Sequence, residues 1–296
     1  RSFASDERCG ELFLMHNIGY DRSYWSFRDS QGQWSASGKL AWPWGADYAQ
    51  PQAIRLCYPC VVLQNRAVHF LGVSDIEEPK PEFRTFKFQL TGKEWDYDFR
   101  RLFYSWTPDV TSQPFHAWIE LTSRDSTCGW MMPLDLHVGA DGRVHLLWHD
   151  KSCDVRLREK FFPGTPLTVA LEYGILQEGR FVHRATLACS RENTAGHVPV
   201  SGRFHVAADG ALFVLAIFRT SSDADAAVVN RILRLDNDGS AGPWTTLDFK
   251  HPFTGSFFVA SPRAGTSPSN IIDVLGQAAG EPESMRYASV RLGETE

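Results

Sequence analysis

The chain has 296 residues, 43% of them hydrophobic and 22% charged, the balance of a folded globular protein rather than a disordered one. A formal net charge of −5 argues against a nucleic-acid binder that works through a general basic surface. No run of about 18 apolar residues is present, so no membrane-spanning helix and no membrane partner are expected. The first residue is Arg1 and no signal-peptide pattern precedes Ser2-Phe3-Ala4, so the chain is read as a processed or truncated product.

Short strands follow one another along the chain. Glu11–His16 and Ser23–Arg28 are apolar or alternating, and the second runs into Asp29-Ser30-Gln31-Gly32-Gln33-Trp34. In that turn the Asp29 carboxylate is placed to accept backbone N–H groups, and the Trp34 indole is expected to bury against the strands. Pro43, Gly45 and Pro51 mark a loop. Val61-Val62-Leu63 and Ala67–Leu71 form the next strand pair, followed by the polar, Pro-bearing segment Glu77–Glu82. Arg84–Leu90 alternates with period two and reads as a strand with one buried face. Residues 96–109 are less regular, a short helix or an ornate loop, and His116–Leu121 alternates again.

His137–Trp148 then reads as strand, Asp141-Gly142 turn and strand, because a tight hairpin needs positive φ and Gly supplies it cheaply. The phrase returns at His205–Ala216, with Asp209 lying 68 residues after Asp141 (209 − 141). Asp154–Arg158 continues the chain, and Leu167–Tyr173 and Phe181–Cys189 flank Gln177-Glu178-Gly179 as a further hairpin. Asn230–Leu235 leads into Asp236-Asn237-Asp238-Gly239, and strands at Phe257–Ala260, Asn270–Leu275 and Met285–Leu292 close the sequence. The apolar second strand of each unit begins near residues 11, 67, 143, 211 and 271. No amphipathic helix of ordinary length is apparent. Repeated antiparallel units of this size predict an all-β fold, a β-propeller of about five visible blades. Residues 1–296 are read as a single propeller domain, a piece of a seven-bladed ring or a five-bladed one.

The Asp29–Trp34 turn resembles the Asp-box of bacterial neuraminidase repeats, Ser/Thr-x-Asp-x-Gly-x-x-Trp, with the five-residue Asp-to-Trp spacing kept and Gly32 one place late. His16, Arg22-Ser23-Tyr24-Trp25 and Arg55-Leu56-Cys57-Tyr58-Pro59 follow in an order similar to sialidase-like propellers associated with polysaccharide degradation, including ulvan-type lyases and related rhamnosidases. The resemblance is best over residues 10–75. It implies a secreted, extracellular or periplasmic enzyme that degrades an acidic or rhamnose-containing polysaccharide by β-elimination or glycoside hydrolysis. The arginine triad and Tyr/Glu pair of true sialidases have no counterpart here.

Propeller ligands bind on loops leading into the innermost strands, so candidates lie just before the first strand of each unit or at the end of the second. A lyase acting on a uronic acid needs a base for the C5 proton, an acid for the leaving oxygen and a cation for the carboxylate. His16 and Tyr58 are the candidate acid–base pair, and Arg55 or Arg124 the candidate carboxylate clamp. Trp130, Asp135 and His137 are further candidate substrate contacts. A hydrolase would instead need two convergent carboxylates, for which Asp75, Asp125, Asp135 and Asp150 stand at suitable loop ends. Asp141 and Asp209 read as turn formers, and His69 and His145, at matching repeat positions, as structural or surface residues. Ten Trp, twenty Phe and eight Tyr suit a β core and also stacking on sugars, so a non-catalytic carbohydrate-binding propeller and a protein-binding scaffold stand as alternatives. No cofactor is expected. The oxygen donors of Asp236–Gly239 form a candidate structural calcium loop, although Leu247 stands where an EF-hand has its Glu. Cys9, Cys57, Cys60, Cys128, Cys153 and Cys189 include no second close pair for a zinc site.

Overall fold

The computed structural model describes residues 2–221 and 226–293 and groups the chain into two compact units, Arg1–Pro133 with Asp150–Thr168 and Leu134–His149 with Val169–Glu296. The fold is all-β, with five blades of a β-propeller in chain order. Blade 1 is the meander Ser2–Asp6, Glu11–Ile18, Arg22–Arg28 and Trp34–Ala41. Blade 2 comprises Leu56–Gln64, Ala67–Ser74, Arg101–Thr107 and Ile119–Ser123. Blade 3 comprises Trp130–Val138, Val144–Lys151, Thr168–Gln177 and Arg180–Arg191, and the division into units passes through its first two strands. Blade 4 comprises Val198–Val206, Leu212–Arg219, Val228–Leu235 and Thr245–Leu247, and blade 5 the three strands Phe253–Val259, Ile271–Ala278 and Glu281–Arg291. The second strands start at residues 11, 67, 144, 212 and 271, within a residue of the positions read from the repeat.

Two segments differ from the sequence reading. Residues 81–91 form helix α1 (Pro81–Thr91), not the strand expected from the alternation of Arg84–Leu90. Pro81 opens the first turn, Glu82 complements the dipole there, and Gly92 at φ 66° caps the end. Phe83 and Lys87, four apart and so on one helical face, are the buried pair, whereas Phe88 and Leu90 of the alternating set are exposed. Helix α2 (Val155–Phe161), where no helix was expected, begins just after Asp154, which sits at its N-cap and accepts from the Arg156 N–H. The two helices pack through Phe83, Phe86, Phe161 and Phe162, with Phe83 and Phe161 rings edge to face at 4.8 Å.

The turns follow the expected chemistry. Asp29 Oδ1 accepts from the N–H groups of Gln31 and Gln33, and Asp141, Asp209 and Asp238 each accept from the N–H two residues on. Trp34 does not bury behind its turn. It opens the outer strand of blade 1 and is 54% exposed. The unit 1 core is built from both of its blades, with Phe13, Met15 and Phe27 from one and Val68, Phe70 and Phe103 from the other. Trp42 and Trp118 seal it, each indole N–H donating to a blade 1 carbonyl or its edge, Gly19 and Ala41 respectively. His69 and His145 are buried rather than superficial, and each Nδ1 lies 2.7 Å from a third-strand tyrosine hydroxyl, Tyr104 and Tyr173.

Burial depresses both imidazoles to a pKa of about 4, below the ordinary value of 6.5. A depressed folded-state pKa supplies stability that is present above the unfolded value and is lost as pH falls through the folded one. Urea unfolding is therefore expected to show a loss of stability between pH 6.5 and 4. The double variant His69→Gln, His145→Gln should flatten that slope, and an unchanged slope would show that these residues do not carry it.

Candidate functional site

In unit 1 the antiparallel register aligns Leu56 with Ser74, Val73 with Leu102, and Arg101 with Ser123. One end of blade 2 therefore collects the residues before its first strand, after its second, before its third and after its fourth. These are Arg55, Asp75 to Lys80, Asp96 to Arg100, and Arg124 to Gly129. The same end carries Arg55 and Arg124, two of the candidate side chains of unit 1.

The first strand of blade 2 is interrupted there. Pro59 has no N–H for the ladder, and the register shifts between Cys57 and Cys60. Tyr58 takes φ 49°, a region uncommon for a non-glycine residue, and its side chain is 53% exposed. The phenol lies 5.9 Å from the Phe99 ring, and burial, reinforced by Cys57 and Asp75, raises its pKa. Just before the strand, Arg55 Nη2 meets Asp75 Oδ2 at 2.7 Å while Nε donates to the Asp75 carbonyl. Its guanidinium sits 4.8 Å from the Tyr20 ring centroid and 5.5 Å from that of Tyr97. Arg55 thus pairs with Asp75 between two tyrosine rings, and Tyr58, three residues on, packs beside Phe99.

Arg124 and Trp130 form a second group. Arg124 Nε donates to both oxygens of the buried Asp150, at 2.8 and 3.0 Å, and Lys151 Nζ lies 5.0 Å from the Trp130 ring. Gly129 sits between them because a Cβ there would lie 2.2 Å from the Lys151 carbonyl oxygen. His16 makes its contacts within blade 1, with Nε2 3.2 Å from Ser26 Oγ and its ring beside Tyr24. It stands four residues before Tyr20, on the strand whose tip reaches Arg55.

Asp135 and His137 belong to unit 2. Asp135 is buried and accepts from the Leu136 and Phe204 N–H groups and from Arg263 Nε. Its carboxylate holds strands and a loop together. His137 is half-buried, 5.8 Å from the His145 ring, and burial lowers its pKa to about 4. It sits near the Asp141–Gly142 end of its strand, whereas Trp130 opens that strand. The Asp236–Gly239 carboxylates serve their own turn: Asp236 Oδ2 and Asp238 Oδ1 both accept from Ser240 Oγ. Among the described residues no three His, Cys, Asp or Glu side chains are grouped to hold a metal ion.

Behind this surface lies a buried ionic network that the sequence reading missed. Arg100 donates through Nη1 and Nη2 to the two oxygens of Glu78, at 3.0 and 2.7 Å, and through Nε to Asp125 Oδ1 at 2.8 Å. Lys87 reaches Glu78 at 2.8 Å, Asp96 at 3.4 Å and Asp154 at 3.7 Å. Arg156 joins Asp96 and Asp154, and Lys80 joins Asp125. Four cations thus face five carboxylates, counting Asp98. The surplus falls on Asp98, whose side chain is fully buried. Its Oδ1 accepts from Ser74 Oγ, and Oδ2 has no hydrogen-bond partner although Arg100 Nε is 3.0 Å away. Burial, opposed by Arg100 and assisted by Glu78 and Asp125, pushes Asp98 up to about 7, whereas the cations hold Glu78 and Asp125 below the ordinary carboxylate value. The charges were visible in sequence as a polar loop and an irregular stretch. What was not visible is that α1 folds Lys87 back onto Glu78.

Beside the network, Asp47, Tyr48, Ala49, Pro79, Lys80, Pro81, Glu82 and Asp125 line a pocket of about 360 Å³. Arg101 Nη1 bridges to Asp47 and its Nη2 to Glu120.

No protein-family model matches the sequence, and no curated protein matches it. Solved structures do. An ulvan lyase of polysaccharide lyase family 25, bound to -[GlcA(1-4)Rha3S]-, superposes with a TM-score of 0.55 at 11% identity over 97% of this chain. The chain spans 63% of that protein's length. An endo-arabinase from Bacteroides thetaiotaomicron VPI-5482 gives 0.45 at 11% identity, over 97% of this chain and 91% of the other. An alpha-L-arabinanase from Penicillium chrysogenum, complexed with arabinobiose, gives 0.45 at 13% identity, over 97% and 73%. At these identities the likeness is one of fold. No helix among the described residues is long and apolar enough to cross a membrane.

The raised pKa of Asp98 has a definite sign. The stability it contributes is present below the ordinary carboxylate value and is lost as pH rises through about 7. Between pH 5 and 8 the stability of Asp98→Asn relative to the parent protein is expected to shift in favour of the variant, measured by urea unfolding at both pH values. A gap that does not change with pH would show that Asp98 stays ionised throughout.

Proposed function

We propose that this chain is part of a carbohydrate-active propeller enzyme that degrades an acidic polysaccharide, with the substrate held at the Arg55 end of blade 2. The observation that carries this reading is an arginine set between the Tyr20 and Tyr97 rings, three residues before an exposed tyrosine, Tyr58, on a bulge next to Pro59. A cation flanked by aromatic faces suits a uronate residue, whose carboxylate takes the charge while its ring stacks. Asp75 engages Nε and Nη2 of Arg55, which leaves Nη1 for the substrate carboxylate. The fold likeness to an ulvan lyase bound to a glucuronate-containing oligosaccharide supports the same substrate class. The Asp29 turn supports a place among the Asp-box propellers of the sialidase-like group. A polymeric glycan of this kind is met outside the cytoplasm, so we place the enzyme in the extracellular or periplasmic space.

The reaction is β-elimination. A base removes the C5 proton, the C5–H electrons form the C4–C5 double bond, the C4–O bond breaks, and the leaving oxygen takes a proton. Tyr58, a phenol that is protonated near neutral pH, donates that proton. His16 is assigned as the base, and Arg124 and Trp130 extend the binding surface. Hydrolysis is the second reading, favoured by Asp47 and Asp125 lining one pocket.

Incubation with uronic-acid polysaccharides should release product carrying the ultraviolet absorbance of an unsaturated uronate. Tyr58→Phe is expected to lower kcat by about 10²- to 10⁴-fold. Arg55→Ala is expected to act mainly on KM. New reducing ends without that absorbance would transfer the reaction to the carboxylate pair. No product from any such polysaccharide would overturn the enzymatic reading.

A further inference from the structure

Asp98 is tied to Arg55 by two short routes. The first is a ribbon of Ile76–Glu77 with Tyr97–Asp98, in which Asp98 pairs with Ile76 and Tyr97 with Glu77. Tyr97, the chain neighbour of Asp98, sets its ring against the Arg55 guanidinium. The second runs through Ser74, which is fully buried. Its Oγ donates to Asp98 Oδ1 and accepts from the N–H groups of Arg100 and Arg101 at 3.0 and 3.1 Å. The next residue, Asp75, holds Arg55 through its carboxylate and its backbone carbonyl. The residues on either side of Arg55 are thus the immediate neighbours of Asp98 and of its hydroxyl partner.

Charge balance distinguishes the two states of Asp98. In the surrounding network Glu78, Asp96, Asp125 and Asp154 match the cations Lys80, Lys87, Arg100 and Arg156 one for one. With Asp98 protonated the network is neutral. With Asp98 ionised it holds one surplus negative charge on a side chain shut off from water. The other titratable groups that face the cluster leave this balance intact near neutral pH. Tyr48, from the loop before blade 2, and Cys128, from the loop after it, are both pushed up by burial and stay neutral. Arg101 faces its own partners, Asp47 and Glu120, and Asp75 faces Arg55. Burial, opposed by Arg100 and assisted by Glu78 and Asp125, pushes Asp98 up to about 7. Ionisation then has two consequences for Arg55. The surplus charge opposes the pull of the guanidinium on an anion across a poorly screened interior. It also draws on Ser74 Oγ and Arg100 Nε, donors that hold the loop ends beside Asp75.

We propose that Asp98 is a positioning residue for Arg55: its protonated form sets the Asp75–Arg55–Tyr97 arrangement to take a carboxylate ligand, and loss of its proton weakens that grip. The proposal rests on the carbohydrate reading above for the ligand, a uronate, and adds a pH dependence to it. Linkage is reciprocal, so a carboxylate bound at Arg55 raises the affinity of Asp98 for its proton by the same factor.

The test uses the intact protein with D-glucuronate as the probe. The Asp98 Cγ and Arg55 Cζ carbon resonances, assigned with Asp98→Asn and Arg55→Lys, are followed from pH 5.5 to 8.5. Both are expected to titrate with one midpoint near neutrality. Glucuronate should bind about fivefold more weakly at pH 8.5 than at pH 5.5, and saturating glucuronate should move the Asp98 midpoint up by about 0.7 of a pH unit, the logarithm of that factor. In Asp98→Asn, shown to be folded by thermal melts, affinity should stay at the low-pH parent value throughout and the Arg55 resonance should no longer titrate. An Arg55 resonance that ignores the Asp98 midpoint, or the same pH dependence in Asp98→Asn as in the parent, would overturn the proposal; the parent titration decides this without any variant. Cleavage of a uronic-acid polysaccharide with a pH profile unchanged by Asp98→Asn would overturn the positioning role and leave the enzymatic reading standing. Failure of glucuronate to bind, with Arg55 still following Asp98, would overturn the uronate reading and uphold the coupling between the two residues.

Discussion

The candidate site of unit 1 depends on a single buried guanidinium. Arg100 is almost completely shielded from water, and its fork ties the loop after the second strand of blade 2, through Glu78, to the loop after the fourth, through Asp125. Isolated in an apolar interior such a charge is expensive, and its partners must be present with good geometry. Here they are supplied by loops rather than by the sheet. The loops that shape the pocket and the Arg55 surface are therefore held in place by charge pairing, while the blades behind them are held by apolar packing. Removing one partner would leave the other charges buried and unpaired, at a cost of roughly 3–5 kcal/mol.

This division of labour explains the inserted helices. A plain strand-to-strand connection cannot bring a lysine onto Glu78 from outside the blade. Helix α1 does so by placing Lys87 and Phe83 on one face, so that the ammonium enters the network while the phenyl ring meets Phe161 and Phe162. Helix α2 contributes Asp154 and Arg156 to the same network from its own first turn. Its surplus carboxylate, Asp98, is accommodated by a raised pKa rather than by another cation. The protonation state of one buried residue is thereby coupled to the geometry of the loops at this end of blade 2.

Local chemistry in the sequence determined the blades. Asp-Gly turns fold by contacts within four residues, and period-two alternation declares which strands have one buried face, so the five second strands could be placed to within a residue. Arg55 and Tyr58 stood out as candidates for a local reason, since they flank a strand start and a proline that cannot join the ladder. The alternation of Arg84–Leu90 misled because Phe86, Phe88 and Leu90 satisfy period two while Phe83 and Lys87 satisfy the helical period. Burial of Lys87 against Glu78 decides between them, and no local pattern records it. Tertiary structure alone decided that Asp135 is spent on backbone N–H groups and Arg263, and that Arg100, Glu78 and Asp98 meet in one buried network. Those roles come from pairing across loops separated by many residues, where desolvation makes a partner obligatory but leaves its position in the chain unspecified.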